Sequence, residues 1–331
     1  MTSTRIGLVG YGFGGRIFHA PLLAAADRVD FAGVVTRSPD RRAELARDHP
    51  GVAAFDDLAA LAAAGAEAVA ISTPAPTHIP LALEAIALGL AVVVDKPFAL
   101  DAAQALTAVE AAEAAGVALS VYQNRRWDSD LLTIRRLLER GALGEVTLFE
   151  SAFERFSPDP VPAAGGGILL DFGSHLIDQA LLLFGPVATV YADGPLDERF
   201  FAVLEHRGGM TSHVSGDWRQ GAPAPRFRVR GSSGSYTVEG MDGQEDALIA
   251  GRHPDAEWGS EPPERWGVLR RGGAAGPVES ERGRWDTYYP AFAAAVRGEG
   301  PVPVDPRDAV ASLGVIDAIR ISATERRAVS L

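Results

Sequence analysis

The turn Gly10-Tyr-Gly12-Phe-Gly14-Gly15 constrains the fold of this chain more than any other stretch. It follows a short apolar strand, residues 4–10, and precedes an apolar segment through Ala20, Leu22 and Leu23. Gly10, Gly12 and Gly15 fit Gly-x-Gly-x-x-Gly between a strand and a helix. The first glycine permits the tight turn, the second lets backbone approach a pyrophosphate, and the third lets helix and strand pack closely. The helix N-terminus then offers N–H groups and a positive dipole end to phosphates. Alone, such a turn is a weak sign. At the first strand of a strand–helix series it points to dinucleotide binding.

The series follows. Residues 29–35 read as a second strand, Pro39 to about His49 as a helix, Ala66–Thr73 as a strand, and about Ile79 to Leu88 as a helix stopped by Gly89. A strand then runs to Lys96, and Asp101 with Gln104 reads as a capping box for a helix to about Ala115. Val117–Tyr122 is one more strand. The alternation predicts a doubly wound parallel sheet over residues 1–123. After the second strand come Thr36, Arg37 and Ser38, then Arg41 and Arg42, with no carboxylate between Val34 and Ser38. An acid there would suit the ribose 2′-hydroxyl of NAD; arginine beside small hydroxyls suits a 2′-phosphate, which favours NADP. Ser38 also reads as a helix cap, and both roles can hold together. His78, after Thr73-Pro74, either touches cofactor or starts a helix with its ring solvated.

Lys96 is the only lysine; the other 30 of the 31 Lys and Arg are arginine. Arginine stays protonated, whereas a lysine amine loses its proton when desolvated or crowded by charge. Lys96 ends the apolar run Ala-Val-Val-Val-Asp-Lys, and Pro97 stops the strand ladder. Ligands of open α/β sheets bind outside the carboxyl ends of strands, which puts Lys96 where a ligand would be.

From Gln123 the pattern changes. Asn124-Arg125-Arg126-Trp127-Asp128 opens a helix ending near Gly141. Val146–Phe153, Val187–Asp193, Phe200–His206, Met210–Asp217, Arg226–Gly231 and Ser235–Glu239 read as a mostly antiparallel or mixed sheet over 124–331. A helix from about Gly167 to Phe184 lies within that series, and Thr287–Arg297 and Pro306–Ala323 are two more. Residues 157–166 and 251–283, rich in Pro and Gly, look like loops. The inner helix places Asp171, His175 and Asp178 on one face. Three readings stay open for them: an internal hydrogen-bond network, a metal site, or an acid–base relay facing a cleft.

Composition narrows the function classes. At 331 residues two domains are expected. No cysteine means no disulfide and no thiolate chemistry, and a cytoplasmic location is expected. A net charge of −12 argues against nucleic-acid or membrane partners.

These motifs resemble the glucose–fructose oxidoreductase/inositol dehydrogenase (Gfo/Idh/MocA) family over nearly the whole length. The glycine turn, Thr73-Pro74 with His78, Asp95-Lys96-Pro97 for the family's Glu-Lys-Pro, and Asp171-x-x-x-His175 carry the likeness. Phe18-His-Ala-Pro, Gln123-Asn-Arg-Arg-Trp-Asp and Gly173-Ser-His-Leu-Ile-Asp-Gln179 place it nearest the NADP-linked scyllo-inositol dehydrogenase subgroup. The resemblance implies a Rossmann domain and an open-faced sheet domain with helices on one face. It implies an NADP-dependent (NAD possible) dehydrogenase of a cyclic polyol or sugar, and a homodimer or homotetramer through the second sheet. Lys96, His175 and Asp171 would be catalytic. Gly10, Gly12, Phe13, Gly14, Gly15, Thr36, Arg37, Ser38, Arg41, Thr73, Pro74, His78, Lys96 and Asn124 would hold the cofactor. Lys96, Arg126, Trp127, Arg155, Asp171 and His175 would hold substrate, with no metal. A dinucleotide-binding sugar sensor of the same fold is the alternative. Two departures stand out: Asp95 replaces the usual Glu, and Arg155-Phe-Ser-Pro158 lacks the Trp-Arg-Glu that often follows it in the subgroup.

Overall fold

Strands β1 (Thr4–Val9), β2 (Val29–Val35), β3 (Ala54–Phe55), β4 (Ala68–Ile71), β5 (Ala91–Val94) and β6 (Leu119–Val121) form one sheet in the order β3-β2-β1-β4-β5-β6, parallel throughout. This computed structural model describes residues 2–157 and 167–331. Helices α1 (Ala20–Ala25), α2 (Pro39–Asp48), α3 (Leu58–Ala63), α4 (His78–Ala87) and α5 (Ala102–Ala115) make the crossovers. Every residue of β4 and β5 is buried, as an apolar run between two helical layers requires.

Local chemistry sets the helix ends. Ser38 Oγ accepts from the Arg41 N–H with Pro39 at the first turn, and Asp101 Oδ1 accepts from the Gln104 N–H at 2.8 Å. Gly116 closes α5 at φ +66°, a left-handed conformation that costs glycine little. β5 stops at Val94, two residues short of the expected end at Lys96, so Lys96 lies in the turn before Pro97.

The second sheet has nine strands. After a 3₁₀ turn at Asn124–Trp127 comes α6 (Ser129–Glu139), then β7 (Val146–Glu154), α7 (Gly167–Asp171) and α8 (Gly173–Phe184). The helix expected from Asn124 therefore starts five residues later. The Asp128 carboxylate pairs with Arg125 and gives no side-chain cap. β8 (Val187–Asp193), β9 (Arg199–His206), β10 (Thr211–Asp217), β11 (Phe227–Gly231) and β12 (Ser235–Val238) follow, then α9 (Gln244–Ile249). β13 (Gly267–Arg271) and β14 (Ala274–Val278) come next, then α10 (Tyr288–Val296), α11 (Pro306–Glu325) and β15 (Val329–Ser330). The order is β14-β13-β12-β11-β7-β10-β9-β8-β15, antiparallel except for β7 beside β10. Burial alternates along β9 and β10, so one face is buried and the other meets solvent at Tyr191 and Phe201.

Two expectations are corrected here. Residues 251–283 are not all loop. They contain the hairpin of β13 and β14, turned by Gly272 and Gly273, both at positive φ. Arg, Ala and Gly mask the strand alternation at that sheet edge. The helix expected over Gly167–Phe184 is broken at Phe172, where the His175 N–H bonds the Phe172 carbonyl, three residues back. The loop expected at 157–166 lies, Ser157 apart, outside the described residues.

The chain forms two compact units: Met1–Gln123, Glu245–Glu257 and Trp285–Val310 in one, and Asn124–Gln244, Trp258–Arg284 and Ala311–Leu331 in the other. The first unit is thus built from three pieces of chain. Tyr288 donates to Ser120 and to the Val121 carbonyl, Ser120 Oγ donates to the Val304 carbonyl, and Thr4 Oγ1 donates to the Ala293 carbonyl. Tyr288, Tyr289 and Phe292 are fully buried there. Each such aromatic contributes about 2 kcal/mol by leaving water. Among the described residues no helix is long and apolar enough to cross a membrane.

Candidate active site

In the first unit the sheet order reverses between β1 and β4, and the crevice at the carboxyl ends of such strands is where a dinucleotide is expected. Gly10 follows β1 at φ +96°, and a Cβ on it would run into the Ser72 carbonyl oxygen. Gly15 packs as tightly on the Gly10 carbonyl, while a Cβ on Gly12 would meet nothing within 4 Å. The three glycines therefore divide as the motif requires: two serve internal packing, and the middle one leaves backbone open to a ligand. That open cradle at a strand-to-helix turn fits a nicotinamide dinucleotide. Phe13, in the same turn, is 62 % exposed and meets Phe18 edge to face.

At the end of β2 the arginines separate. Arg41 pairs with Glu44 at 2.7 Å, and Arg42 reaches Asp56 and the Thr36 carbonyl. Arg37 is exposed and, among the described residues, has no hydrogen bond or ion pair. Asp30, the nearby acid, pairs with Arg5.

At the end of β4, Thr73 Oγ1 shares a hydrogen bond with Thr77 and precedes Pro74. His78 is buried, and both ring nitrogens lie against backbone carbonyls: Nε2 2.7 Å from Thr73 O and Nδ1 2.8 Å from Pro97 O. The solvated ring considered for His78 is not what the fold contains. The ring ties the end of β4 to the turn after β5. In that turn the Asp95 carboxylate accepts from the Lys96 N–H and from Ser72 Oγ, both at 2.8 Å. Burial alone would raise the Asp95 pKa. The facing His19, Lys96 and His78 outweigh it and hold the carboxyl down at about 2.

In the second unit Asp171 ends α7 and His175 lies buried in the first turn of α8. Asp178 does not join them as a free third acid. Its two oxygens take the Arg126 guanidinium, Oδ2 from Nε at 2.8 Å and Oδ1 from Nη2 at 2.6 Å. Arg126 and Asn124 are both buried, and the Trp127 carbonyl accepts from Arg284 N–H and Gln244 Nε2. Phe172 stacks on Phe153 at 3.8 Å between centroids, and the guanidinium carbons of Arg125 and Arg155 sit 5.0 and 4.9 Å from the Phe153 centroid. Among the described residues no three His, Asp or Glu side chains are grouped to hold a metal ion.

Sequence reading passed over three buried side chains here. Ser72 and His19 brace Asp95, and Arg226 links Gln179, Ser151 and Asp130. Phe18-His-Ala-Pro was a visible signal for His19. Nothing local marks Arg226, whose partners lie 47 to 96 residues away in sequence.

Comparison with known proteins gives a consistent picture. Residues 4–123 match the model of an oxidoreductase family with an NAD-binding Rossmann fold, and 131–237 match a GFO/IDH/MocA C-terminal domain. The chain is 33 % identical to the Bacillus subtilis scyllo-inositol 2-dehydrogenase (NADP(+)) IolW, covering 99 % of this chain and 96 % of that one. It is 36 % identical to the uncharacterized oxidoreductase YdgJ of Escherichia coli, covering 98 % and 97 %. The solved structure of yvaA from Bacillus subtilis superposes with a TM-score of 0.93 at 33 % identity, covering 99 % of this chain and 100 % of that one.

Proposed function

The chain belongs to the GFO/IDH/MocA family of oxidoreductases, and from that premise we propose that it moves a hydride between NADP and a secondary alcohol of a cyclic polyol or sugar, inositol-like in class. It is an NAD(P)-dependent dehydrogenase acting on CH–OH groups of a small-molecule substrate. The observation that carries the finer reading is Lys96, the single lysine, placed just past the carboxyl end of β5 beside an ionised Asp95. The bound nicotinamide supplies the hydride donor or acceptor.

The residues account for the rest. Oxidising a carbinol removes a proton as well as a hydride, so a group of tunable proton affinity must take the hydroxyl proton. Lys96 and His175 are the groups assigned to hold the oxygen and take that proton, with Asp171 assisting. The ionised Asp95 accepts from the Lys96 N–H and so sets a negative charge beside the residue assigned to polarise a carbonyl when the reaction runs backward. Preference for NADP is assigned to the exposed Arg37 with the Thr36 and Ser38 hydroxyls, since Arg41 and Arg42 are engaged with Glu44 and Asp56. The relative IolW acts on scyllo-inositol, and a cyclic polyol is the class carried over from it. Assembly as a homodimer or homotetramer through the exposed face of the nine-stranded sheet belongs to the same proposal.

The test is a screen of inositols, aldoses and their keto forms against NAD and NADP, followed by Lys96→Met on the best pair. The expected result is NADP-linked turnover with a cyclic polyol and a loss of about 10²–10⁴ in kcat in Lys96→Met, with NADP binding kept. Undiminished turnover in that variant rules out the assignment of Lys96.

A further inference from the structure

The chemistry above leaves His19 unused, although Phe18-His-Ala-Pro is one of the marked segments of the sequence. His19 is completely buried. It ends a π turn, Gly15–His19, set between the glycine turn and α1. Such turns occur mostly as single bulges in helices, often at functional sites. Its two nitrogens face two side chains. Nε2 is 3.1 Å from Asp95 Oδ2, and Nδ1 is 2.5 Å from Tyr289 Oη. Tyr122 packs on the imidazole at 4.3 Å between centroids and stacks on Tyr289.

Burial drives the Tyr289 phenol well above its ordinary pKa, helped by the Tyr122, Tyr288 and Asp95 oxygens. Tyr289 therefore keeps its proton, and its Oη lies beside Nδ1. Nε2 faces the carboxylate at ion-pair distance. Asp95 Oδ2 thus accepts from Ser72 Oγ with His19 Nε2 3.1 Å away, and Oδ1 accepts from the Lys96 N–H. A Cβ on Gly14 would lie 2.8 Å from Ser72 Oγ and 3.4 Å from Asp95 Oδ2, so the glycine turn packs directly on this assembly.

We propose that His19, backed by Tyr289, is a positioning residue for Lys96: acting through the Asp95 carboxylate, it fixes the backbone that carries the amine and keeps a negative charge beside it. The proposal rests on the function proposed above, in which Lys96 is the working amine. The charged or titratable groups around Asp95 are His19 from the π turn, His78 from α4, Lys96 next in the chain and Tyr289 from α10. Burial opposes the charge on Asp95, and His19 offsets it more than Lys96 or His78 does. Without His19 the carboxyl takes up a proton at higher pH, and the grip on the Lys96 N–H weakens.

Because Lys96 is the only lysine, the full chain grown on lysine carrying ¹³C at Cε shows one side-chain resonance to follow against pH. In the wild type that resonance has no inflection from a neighbouring carboxyl above about pH 4. In His19→Gln, and more weakly in Tyr289→Phe, an inflection appears above that pH as Asp95 protonates. Turnover in His19→Gln falls about 10- to 100-fold while NADP affinity stays within about threefold. Tyr289→Phe keeps the ring packing, so it carries the test if His19→Gln does not fold. A Lys96 titration unchanged in every folded variant, with only Tm lowered, overturns the proposal. The titration needs no substrate. Absence of polyol turnover in the wild type therefore rejects the functional reading, and the resonance still decides whether His19 acts on the amine's surroundings.

Discussion

Asp95 in the first unit, half-buried, and Asp130 in the second, buried, are carboxylates whose surroundings push them in opposite directions. Burial raises the pKa of each. Around Asp95 the facing groups are His19, Lys96 and His78, and the net result is a value near 2. Around Asp130 burial is reinforced by Asp242, and Arg226 with the Leu131 N–H does not offset it, so the value rises to about 6. Asp128 beside it is pushed up as well, by burial first and then by Asp242 and Asp130 against the pull of Arg125. Burial pushes both acids the same way, and the sign of the groups facing each one decides the outcome. One carboxylate is held as an anion by its neighbours. The others form a charge cluster stitched to Arg226, which is itself lowered to about 10 by burial.

The comparison can be broken at three places. The largest effect is expected from Arg226→Leu. Arg226 Nη2 donates to Gln179 Oε1 at 2.7 Å and Nη1 to Ser151 Oγ at 2.8 Å, and Nε lies 3.8 Å from Asp130. Removing one partner of a buried charge network costs about 3–5 kcal/mol. Urea unfolding at neutral pH should show that loss, and a change under about 1 kcal/mol would mean the cluster is neutral without it. Next is the pH slope set by Asp130. Its folded pKa is raised, so its contribution to stability is complete below the unfolded value of 3.8 and is lost as pH rises through about 6. Asp130→Asn should remove about 2–3 kcal/mol of the decline in unfolding free energy over that window. The smallest effect is the mirror image. Asp95 has a depressed folded pKa, so its contribution is present above 3.8 and is lost as pH falls toward about 2. Asp95→Asn should flatten that acid limb by about 2 kcal/mol. Equal slopes in variant and wild type would show that the two carboxylates do not differ as described.

What could be read in the sequence was what repeats locally. The strand–helix alternation, the Ser38 and Asp101 caps and the glycine turn depend on neighbours three or four residues away, and each stands where the periodicity put it. The hairpin of β13 and β14 escaped notice because Arg-, Ala- and Gly-rich edge strands carry little alternation. The break at Phe172 escaped because three polar residues at helical spacing look alike in one helix or two. Within the candidate site, Lys96, His175 and Asp171 stood out as residue types in motifs. The long-range contacts of the two units did not: Tyr289 meets His19 across 270 positions, and Arg226 meets Gln179 across 47. No local pattern reports contacts at that range.

The three-piece construction of the first unit bears on how the protein is made. A ribosome that has released residues 1–123 has delivered the glycine turn and the lysine, but not Tyr288, Tyr289 or Phe292. The nascent nucleotide-binding half must then wait, with an unfilled flank, through translation of most of the other half. Cutting the gene after codon 123 would yield a fragment with that flank open to water, and so prone to clump; the half that begins the chain is the one that finishes late.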